Sequence, residues 1–268
     1  MPRRSPPKLG QHFLADARYR RRILEALPLH PDDLVIEIGA GRGAMTSLLA
    51  ERVRRVVAIE VDPGLAKYLR QKFKADARIE ILAADILSTD IGKICRRYNC
   101  EKCAVFGNLP YYITSPIVHR LFAAEAWIRG MALLVQREVA ERLTAGPGTR
   151  AYGYLSVLTQ LDSQPHLLFS IPPGAFSPAP KVHSALVDFR MKTKLPALTL
   201  QGRARFLDFV KRCFSQKRKN LLNNLSGTYT RARVERGLAS LGLSPKLRAE
   251  QLTLEQFAAL FARLEQAG

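Results

Sequence analysis

The stretch that decides the fold reads Leu34-Val35-Ile36-Glu37-Ile38-Gly39-Ala40-Gly41-Arg42-Gly43. An apolar run typical of a buried strand is followed at once by three glycines at alternate positions. Glycines at this spacing allow a tight turn from a strand into a helix and let a ligand lie against the backbone. The motif therefore predicts a nucleotide-like cofactor. Alone it also fits a dinucleotide fingerprint, because Gly39, Gly41 and Ala44 satisfy G-x-G-x-x-A.

Further apolar runs alternate with helical patterns from this stretch to about residue 145. They are Val56–Ile59, Ile79–Leu82, Ala104–Phe106 and Met131–Val135. Such alternation is typical of parallel βαβ units with helices on both faces of the sheet. Two later runs, 165–171 and 182–189, have no helix between them, and we expect them as a pair at the sheet edge.

A change of pattern near residue 191 predicts a second domain. We interpret residues 192–200, which include Pro196, as a linker. Apolar residues then recur at helical spacing: Phe206, Phe209, Val210 and Phe214, and again Phe257, Leu260, Phe261 and Leu264. The sequence therefore predicts an α/β domain over residues 1–191 and a small all-helical domain over residues 192–268.

The charge of the chain indicates a polyanionic partner. Lys and Arg number 42 against 23 Asp and Glu, for a net charge of +19 over 268 residues. Residues 191–268 alone carry 15 basic and 5 acidic side chains. An excess of this kind suits nucleic acid or an acidic membrane surface. The chain has no run of 18 apolar residues, no apolar stretch after its basic start and only 4 Cys, so we expect a cytoplasmic protein without a membrane span.

Acidic residues after the second and third strands narrow the choice of cofactor. Glu60, 21 residues past Gly39, is placed to accept hydrogen bonds from ribose hydroxyls. Asp85 is placed to accept a bond from an adenine amino group, with Ile86 as an apolar contact for the ring. These acidic residues suit a ligand that combines an adenosine with a cationic end, as S-adenosylmethionine does. NAD fits less well, because its negatively charged pyrophosphate would lie beside the carboxylate of Glu37.

The loop Asn108-Leu109-Pro110-Tyr111 follows the fourth strand, at the sheet edge where α/β proteins bind ligands. The exocyclic N6 of adenine is a weak nucleophile because its lone pair is delocalised into the ring. The side-chain carbonyl of Asn108 and a backbone carbonyl near Leu109 and Pro110 are placed to accept hydrogen bonds from the two N6–H groups. These hydrogen bonds would turn the nitrogen lone pair toward a methyl donor. Tyr111 offers a face on which the base stacks.

Four motifs now appear together: Gln11–Leu14, Glu37–Gly43, Asn108–Tyr111 and Phe176–Ser184. In this order and spacing the chain resembles the KsgA-type small-subunit (16S) ribosomal RNA adenine N6,N6-dimethyltransferases, from about Lys8 to Leu264. The resemblance implies a Rossmann-like, S-adenosylmethionine-dependent methyltransferase domain with a helical C-terminal domain. It also implies that two adjacent adenosines near the 3′ end of 16S rRNA are each methylated twice.

The resemblance assigns roles to individual residues. Those implied to bind S-adenosylmethionine are His12, Leu14, Gly39, Gly41, Glu60, Asp85, Ile86 and Asn108. Tyr111 and Phe176 are implied to sandwich the target base. Two positions depart from the bacterial pattern, since His12 stands where Asn is usual and Tyr112 replaces an Asn that is common after the tetrad.

Two basic clusters are candidates for contacts to RNA. The first comprises Arg18, Arg20, Arg21 and Arg22, and the second Lys217, Arg218 and Lys219. We expect the second cluster to open a helix whose core face carries Leu221, Leu222 and Leu225. Cys95, Cys100 and Cys103 lie close in sequence, but a tetrahedral zinc site needs four ligands, so we expect no metal.

Several other functions remain open on the sequence. The large-subunit (23S) adenine methyltransferases of the macrolide-resistance type share the fold, although Leu109 and the Phe176–Ser184 stretch favour the small-subunit family. DNA adenine methyltransferases usually carry Pro where Leu109 stands. An NAD dehydrogenase fits the glycine loop alone, and a non-catalytic ribosome-assembly factor would need no chemistry. We expect a monomer whose partner is the small ribosomal subunit with its 16S rRNA.

Overall fold

The structure, a computed structural model, describes residues 11–192 and 200–266. The strands in these ranges are β1 (Phe13–Leu14), β2 (Leu34–Ile38), β3 (Arg55–Glu60), β4 (Ile79–Ala83), β5 (Cys103–Asn108), β6 (Ile128–Gln136), β7 (Ser163–Ile171), β8 (Phe176–Ser177) and β9 (Ser184–Met191). The predicted apolar runs are all confirmed as strands. All five residues of β2 are buried, as expected for the centre of a sheet with both faces covered.

The helices of the first part of the chain are α1 (Ala17–Ala26), α2 (Ala44–Ala50), α3 (Pro63–Lys72), α4 (Ile91–Arg97), α5 (Thr114–Ala123), α6 (Arg137–Thr144) and α7 (Tyr154–Asp162). Those that follow are α8 (Leu200–Cys213), α9 (Leu221–Leu225), α10 (Arg231–Ala239) and α11 (Leu254–Gln266). Asp16, Asp62 and Asp90 cap α1, α3 and α4, because each side chain accepts backbone N–H groups of the first turn. None of the helices in the described ranges is long and apolar enough to cross a bilayer.

Seven strands form one sheet in the order β4-β3-β2-β5-β6-β9-β7. Strands β2 to β6 pair in parallel, whereas β9 runs antiparallel to β6. The expected pairing at the edge is confirmed, since β7 and β9 are neighbours there. The strand order reverses between β2 and β5, which opens a crevice at their carboxyl ends.

A separate two-stranded ladder joins distant parts of the chain. Strand β1 pairs antiparallel with β8, with Phe13 opposite Ser177 and Leu14 opposite Phe176. Each strand has only two residues, too short for a pattern that sequence reasoning detects. The ladder fixes the Gln11–Leu14 motif against the Phe176–Ser184 stretch.

The described residues divide into two compact units. The first extends through Ala140 and includes Gln164–Met191, and the second comprises Glu141–Ser163 and the chain from Lys192 onward. The structure also has a boundary between Met191 and Lys192, but it places residues 141–163, which we expected in the first domain, with the second unit. The reason is packing: Tyr152, Val157 and Leu161 join the apolar cluster of the C-terminal helices. The predicted linker lies outside the described residues except for its two ends.

The second unit has a helical core rich in aromatic rings. The predicted core residues on α8 and α11 are buried, and Phe214, which directly follows α8, is half-buried. Phe206 and Phe209 lie with ring centroids 5.6 and 5.4 Å from that of Phe261. The Phe206 ring meets the Phe261 ring edge-on, a geometry that contributes beyond the area that the rings bury. The expectation of helices in this part of the chain is confirmed.

Candidate active site

An open pocket of about 400 Å³ lies at the carboxyl ends of the central strands of the first unit. The predicted site residues that line it are His12, Gly39, Gly41, Glu60, Asn108, Leu109, Pro110 and Tyr111. Gln11 and Phe13, which carried no predicted role of their own, complete the wall. The pocket therefore occupies the crevice where the strand order reverses.

The glycine loop is shaped to leave space beside its backbone. Gly39, Gly41 and Gly43 have φ values of +72°, +57° and +73°, in the left-handed region that favours glycine. A Cβ on Gly41 would lie 2.7 Å from the Phe13 ring, and a Cβ on Gly39 would lie 3.3 Å from the backbone carbonyl oxygen of Asn108. Side chains at these positions would fill the pocket, so the loop forms a cradle for a ligand that lies against main chain.

Lys72 supports this loop from outside the pocket. Its Nζ donates hydrogen bonds to the carbonyl oxygens of Arg42 at 2.9 Å and Gly43 at 3.4 Å. The neighbouring Phe73 ring would collide with a Cβ on Gly43, at 2.6 Å. Sequence reasoning missed both residues, because nothing in the amphipathic pattern of α3 singles them out.

Two buried carboxyl groups flank the loop. Glu60 accepts hydrogen bonds from the backbone N–H groups of Gly41 at 2.8 Å and Asp62 at 3.0 Å. A carboxylate has about four acceptor positions, so Glu60 retains acceptor capacity toward the pocket that it lines.

Glu37, which is 2% exposed, accepts a hydrogen bond of 2.5 Å from the Thr46 hydroxyl. Burial raises the pKa of Glu37 to about 8, and the charge of Glu60 acts in the same direction. The hydrogen bond from Thr46 and the charge of Lys72 act in the opposite direction and lower the pKa of Glu37.

Asn108 and Tyr111 are held by contacts to segments far away in sequence. The Asn108 Nδ2 donates to the backbone carbonyl of His12 at 2.9 Å. The His12 ring stacks on Tyr111, with centroids 5.5 Å apart, and its Nδ1 donates to the Pro178 carbonyl at 2.7 Å. The Tyr111 hydroxyl lies 2.6 Å from the Ser184 Oγ. Burial raises the pKa of Tyr111, so it stays neutral.

Four predicted site residues do not line this pocket. Leu14 and Phe176 are 6% and 4% exposed and pack in the apolar cluster that includes Leu186. Phe176 packs beside its ladder partner Leu14, and the sandwich of a base between Tyr111 and Phe176 stays a prediction. Ile86 is 5% exposed, and the exposed Asp85 accepts the backbone N–H of Leu87 at 2.9 Å.

The N-terminal basic cluster lies on α1. Arg18 forms an ion pair of 2.9 Å with the cap residue Asp16, although its own side chain is 88% exposed. The Arg22 guanidinium lies 4.0 Å from the Phe169 ring centroid, in a cation–π contact. Arg21 is exposed. The structure thus places the cations of this cluster on a helix surface of the first unit.

The C-terminal basic cluster lies in a turn, not in the helix we expected. Helix α9 begins at Leu221, because the Asn220 side chain accepts the backbone N–H of Asn223 at 3.0 Å and caps it. Lys217 donates to the Arg150 carbonyl at 2.6 Å, whereas Arg218 and Lys219 are exposed. The leucines of α9 face the core as expected.

The three neighbouring cysteines are free thiols. The Sγ atoms of Cys95 and Cys103 share the Trp127 carbonyl as acceptor, at 3.8 and 3.3 Å. The neighbouring Cys103 thiol lowers the pKa of Cys95. In the described ranges no three His, Cys, Asp or Glu residues are arranged to hold a metal ion.

Parallel strands in this order, with a glycine cradle beside a buried carboxylate, form the frame of Rossmann-like methyltransferases. A family model for ribosomal RNA adenine dimethylases matches residues 4–266. The chain belongs to the ribosomal RNA adenine dimethylase family. The enzymes of this family use S-adenosylmethionine, and the expected fold class, activity and cofactor are therefore confirmed.

Named relatives resemble this chain over nearly its whole length. Two proteins called ribosomal RNA small subunit methyltransferase A are each 44% identical. The one from Koribacter versatilis matches over 267 residues, 96% of this chain and 93% of the relative. The one from Acidobacterium capsulatum matches over 260 residues, 97% and 91% of the two chains.

Solved structures give the same fold. The 23S rRNA methyltransferase ErmE is 33% identical with a TM-score of 0.72, and the match covers 95% of this chain and all of that one. A dimethyladenosine transferase from Plasmodium falciparum has a TM-score of 0.79 over 95% of this chain and 98% of its own. At 22% identity, the second likeness supports the fold alone.

Proposed function

We propose that this chain dimethylates N6 of two adjacent adenosines near the 3′ end of small-subunit (16S) ribosomal RNA. The 44% identity to relatives named as small-subunit methyltransferases supports this choice of subunit. The observation that carries the chemistry is the hydrogen bond from Asn108 Nδ2 to the His12 carbonyl, because it fixes the orientation of the amide.

The residues of the pocket fit S-adenosylmethionine. The glycine cradle accommodates a ligand against main chain, and Glu60 has acceptor capacity for ribose hydroxyls. Val61 and Leu87, which follow Glu60 and Ile86, are 50% and 37% exposed, and we assign them as apolar walls for the adenine. When bound, S-adenosylmethionine supplies an electrophilic methyl group.

Two acceptors would position the target amine. Because Asn108 Nδ2 is engaged by His12, Oδ1 is the atom left to accept one N6–H. The Pro110 carbonyl already accepts from Ile113 at 3.2 Å and from the Thr114 hydroxyl at 3.1 Å. We therefore assign the second N6–H to the Leu109 carbonyl. These two bonds direct the nitrogen lone pair, and the protonated amine product loses its proton without a dedicated base.

Tyr111 would hold the ring of the target adenine. One face of Tyr111 lies against His12, and its hydroxyl is fixed by Ser184, which leaves a rigid second face for stacking. Moving a base out of an RNA helix into such a pocket costs a few kcal/mol of lost stacking and pairing, and stacking on Tyr111 offsets part of that cost. Phe176, the residue predicted to cover the other face of the base, is 4% exposed in this structure, and its stacking role stays a prediction.

The proposed partner is the small ribosomal subunit. Exposed cations on both units, Arg21 and Arg22 in the first and Arg218 and Lys219 in the second, suit contacts to phosphate. We propose that the chain acts as a monomer. We infer a cytoplasmic location, where the subunits assemble.

The test is transfer of radiolabelled methyl groups to small subunits isolated from cells that lack this protein. We expect label in small-subunit RNA, mapped by primer extension to two adjacent adenosines. Large subunits from the same cells are the control, since ErmE, a 23S rRNA methyltransferase, is 33% identical to this chain. Label in large-subunit RNA alone would show that the proposed subunit is wrong.

A further inference from the structure

We propose that Tyr112 is a stacking platform for the nucleotide next to the adenosine in the pocket. This inference rests on the proposed function, because it concerns the RNA strand that the site would receive. It adds a binding position that lies outside the pocket, at its rim.

Two consecutive tyrosines have different environments. Tyr111 lines the pocket, with its ring on His12 and its hydroxyl on Ser184. Tyr112 is 62% exposed, more than any other large apolar or aromatic side chain of the described ranges, where Val61 and Tyr68 follow at 50%. Both lie in the single 3₁₀ turn Tyr111–Ile113, in which successive side chains point about 120° apart. Tyr112 therefore faces solvent directly beside the pocket.

Packing within the chain does not account for the Tyr112 ring. In the described part of the chain it takes part in no ring contact and its hydroxyl has no side-chain partner. An aromatic ring in water forgoes the burial that stabilises most tyrosines. Since the fold gains little from this ring, a ligand is the reason we assign for its position.

The chemistry of the rim favours RNA as the occupant. Lys181 and His183 are exposed on the segment that ends at Ser184, the residue that holds Tyr111. The chain carries a net charge of +19 and attracts phosphate. Every base has a face that stacks on an aromatic ring, so a tyrosine beside a cationic loop suits single-stranded RNA.

The two adjacent adenosines of the proposed substrate explain why a stacking ring would lie beside the pocket. When one adenosine of an adjacent pair enters the pocket, its neighbour loses a stacking partner. A ring one residue from Tyr111 is placed to replace that partner. Because the two adenosines must enter in turn, the platform would serve each step of the reaction.

The test compares Tyr112→Ala, Tyr112→Phe and Tyr68→Ala, the last being a half-exposed tyrosine on α3 as matched control. KM and kcat are measured with unmethylated small subunits, and S-adenosylmethionine affinity is measured by calorimetry. We expect Tyr112→Ala to raise KM for subunits about tenfold, with kcat and cofactor affinity unchanged. Tyr112→Phe and Tyr68→Ala should match the wild type. An unchanged KM in Tyr112→Ala, or equal defects in Tyr112→Ala and Tyr112→Phe, would overturn the platform.

A second measurement does not depend on catalysis. A short single-stranded RNA carries adenosine next to the fluorescent base 2-aminopurine, and we expect its emission to be quenched on binding to the wild type and to Tyr112→Phe. Tyr112→Ala should bind with less quenching, and equal quenching in all three would rule out stacking on this ring. If the wild type labels no small subunits, the proposed function fails, whereas this measurement still decides the role of Tyr112.

Discussion

The side-chain amide of Asn108, at the end of β5, donates a hydrogen bond of 2.9 Å to the backbone carbonyl of His12. The two residues are 96 positions apart in the chain. Through this bond the N-terminal segment sets the orientation of the amide whose oxygen we assign to the target amine. The same segment stacks its His12 ring on Tyr111, so both proposed contacts to the base depend on it.

Replacement of Asn108 by Ala removes the acceptor for N6–H. Because a lost positioning dipole costs about 10²–10³-fold in rate, we expect single-turnover methylation to fall by that factor. Binding of small subunits should persist, since the basic surfaces are unchanged, and filter binding measures it. Methylation at the normal rate would show that Asn108 does not position the amine. Loss of both methylation and subunit binding would indicate a structural role for Asn108.

Replacement of Gly41 by Ala should weaken cofactor binding. The new Cβ would lie 2.7 Å from the Phe13 ring, at a φ of +57°. The matched control is Gly242→Ala, where φ is +66° but no atom lies within 4 Å of the Cβ site. Both variants pay about 1–2 kcal/mol of backbone strain, seen as lower urea stability. Only Gly41→Ala should weaken S-adenosylmethionine binding, by at least about tenfold in calorimetry. Equal affinities in the two variants would show that the cofactor does not lie against the backbone of Gly41.

The sequence predicts the parts of this site that follow regular strands. Gly39, Glu60 and Asn108 each stand at or directly after the end of a parallel strand, and the carboxyl ends of such strands meet at one edge. Periodicity is enough to place these residues together. Leu221, Leu222 and Leu225 were predictable for the same reason, because a spacing of three to four residues defines one helix face.

The parts that the sequence does not predict depend on contacts through space. Lys72 supports the glycine loop from a helix end, and no local pattern distinguishes it from other surface lysines. Phe176 belongs to a recognisable motif, yet the pairing of Leu14 with it buries the ring. Val157 and Leu161 on α7 are four residues apart, the spacing of one buried helix face, but this spacing does not indicate which of the two cores the face packs against.

The buried Glu37 should make stability depend on pH. Burial raises the pKa of Glu37 to about 8 in the folded state, so the folded chain binds a proton that the unfolded chain releases above about pH 4.5. The stability that this proton contributes is therefore lost as pH rises toward 8, by up to about 1.4 kcal/mol per pH unit.

Glu37→Gln removes this titration and should flatten the decline in stability between pH 5 and pH 8. Urea unfolding at several pH values measures the difference between variant and wild type. The exposed Glu51→Gln serves as control and should follow the wild-type profile. Parallel curves for Glu37→Gln and the wild type would show that Glu37 is ionised in the folded protein.

The exposed cations of the turn before α9 should contribute to RNA affinity through phosphate contacts. Arg218→Gln and Lys219→Gln each remove one exposed charge, whereas Lys217 is engaged by the Arg150 carbonyl. If each contacts one phosphate, each variant should weaken binding of small subunits and reduce the slope of log K against log salt by about 0.7–0.9. Lys102→Gln, at the amino end of β5 and away from the pocket edge, is the charge-matched control and should leave the slope unchanged. A titration of subunit binding over several salt concentrations measures both quantities. The same slope in all three variants and the wild type would exclude this turn from the RNA interface, because a lost phosphate contact must release fewer counterions.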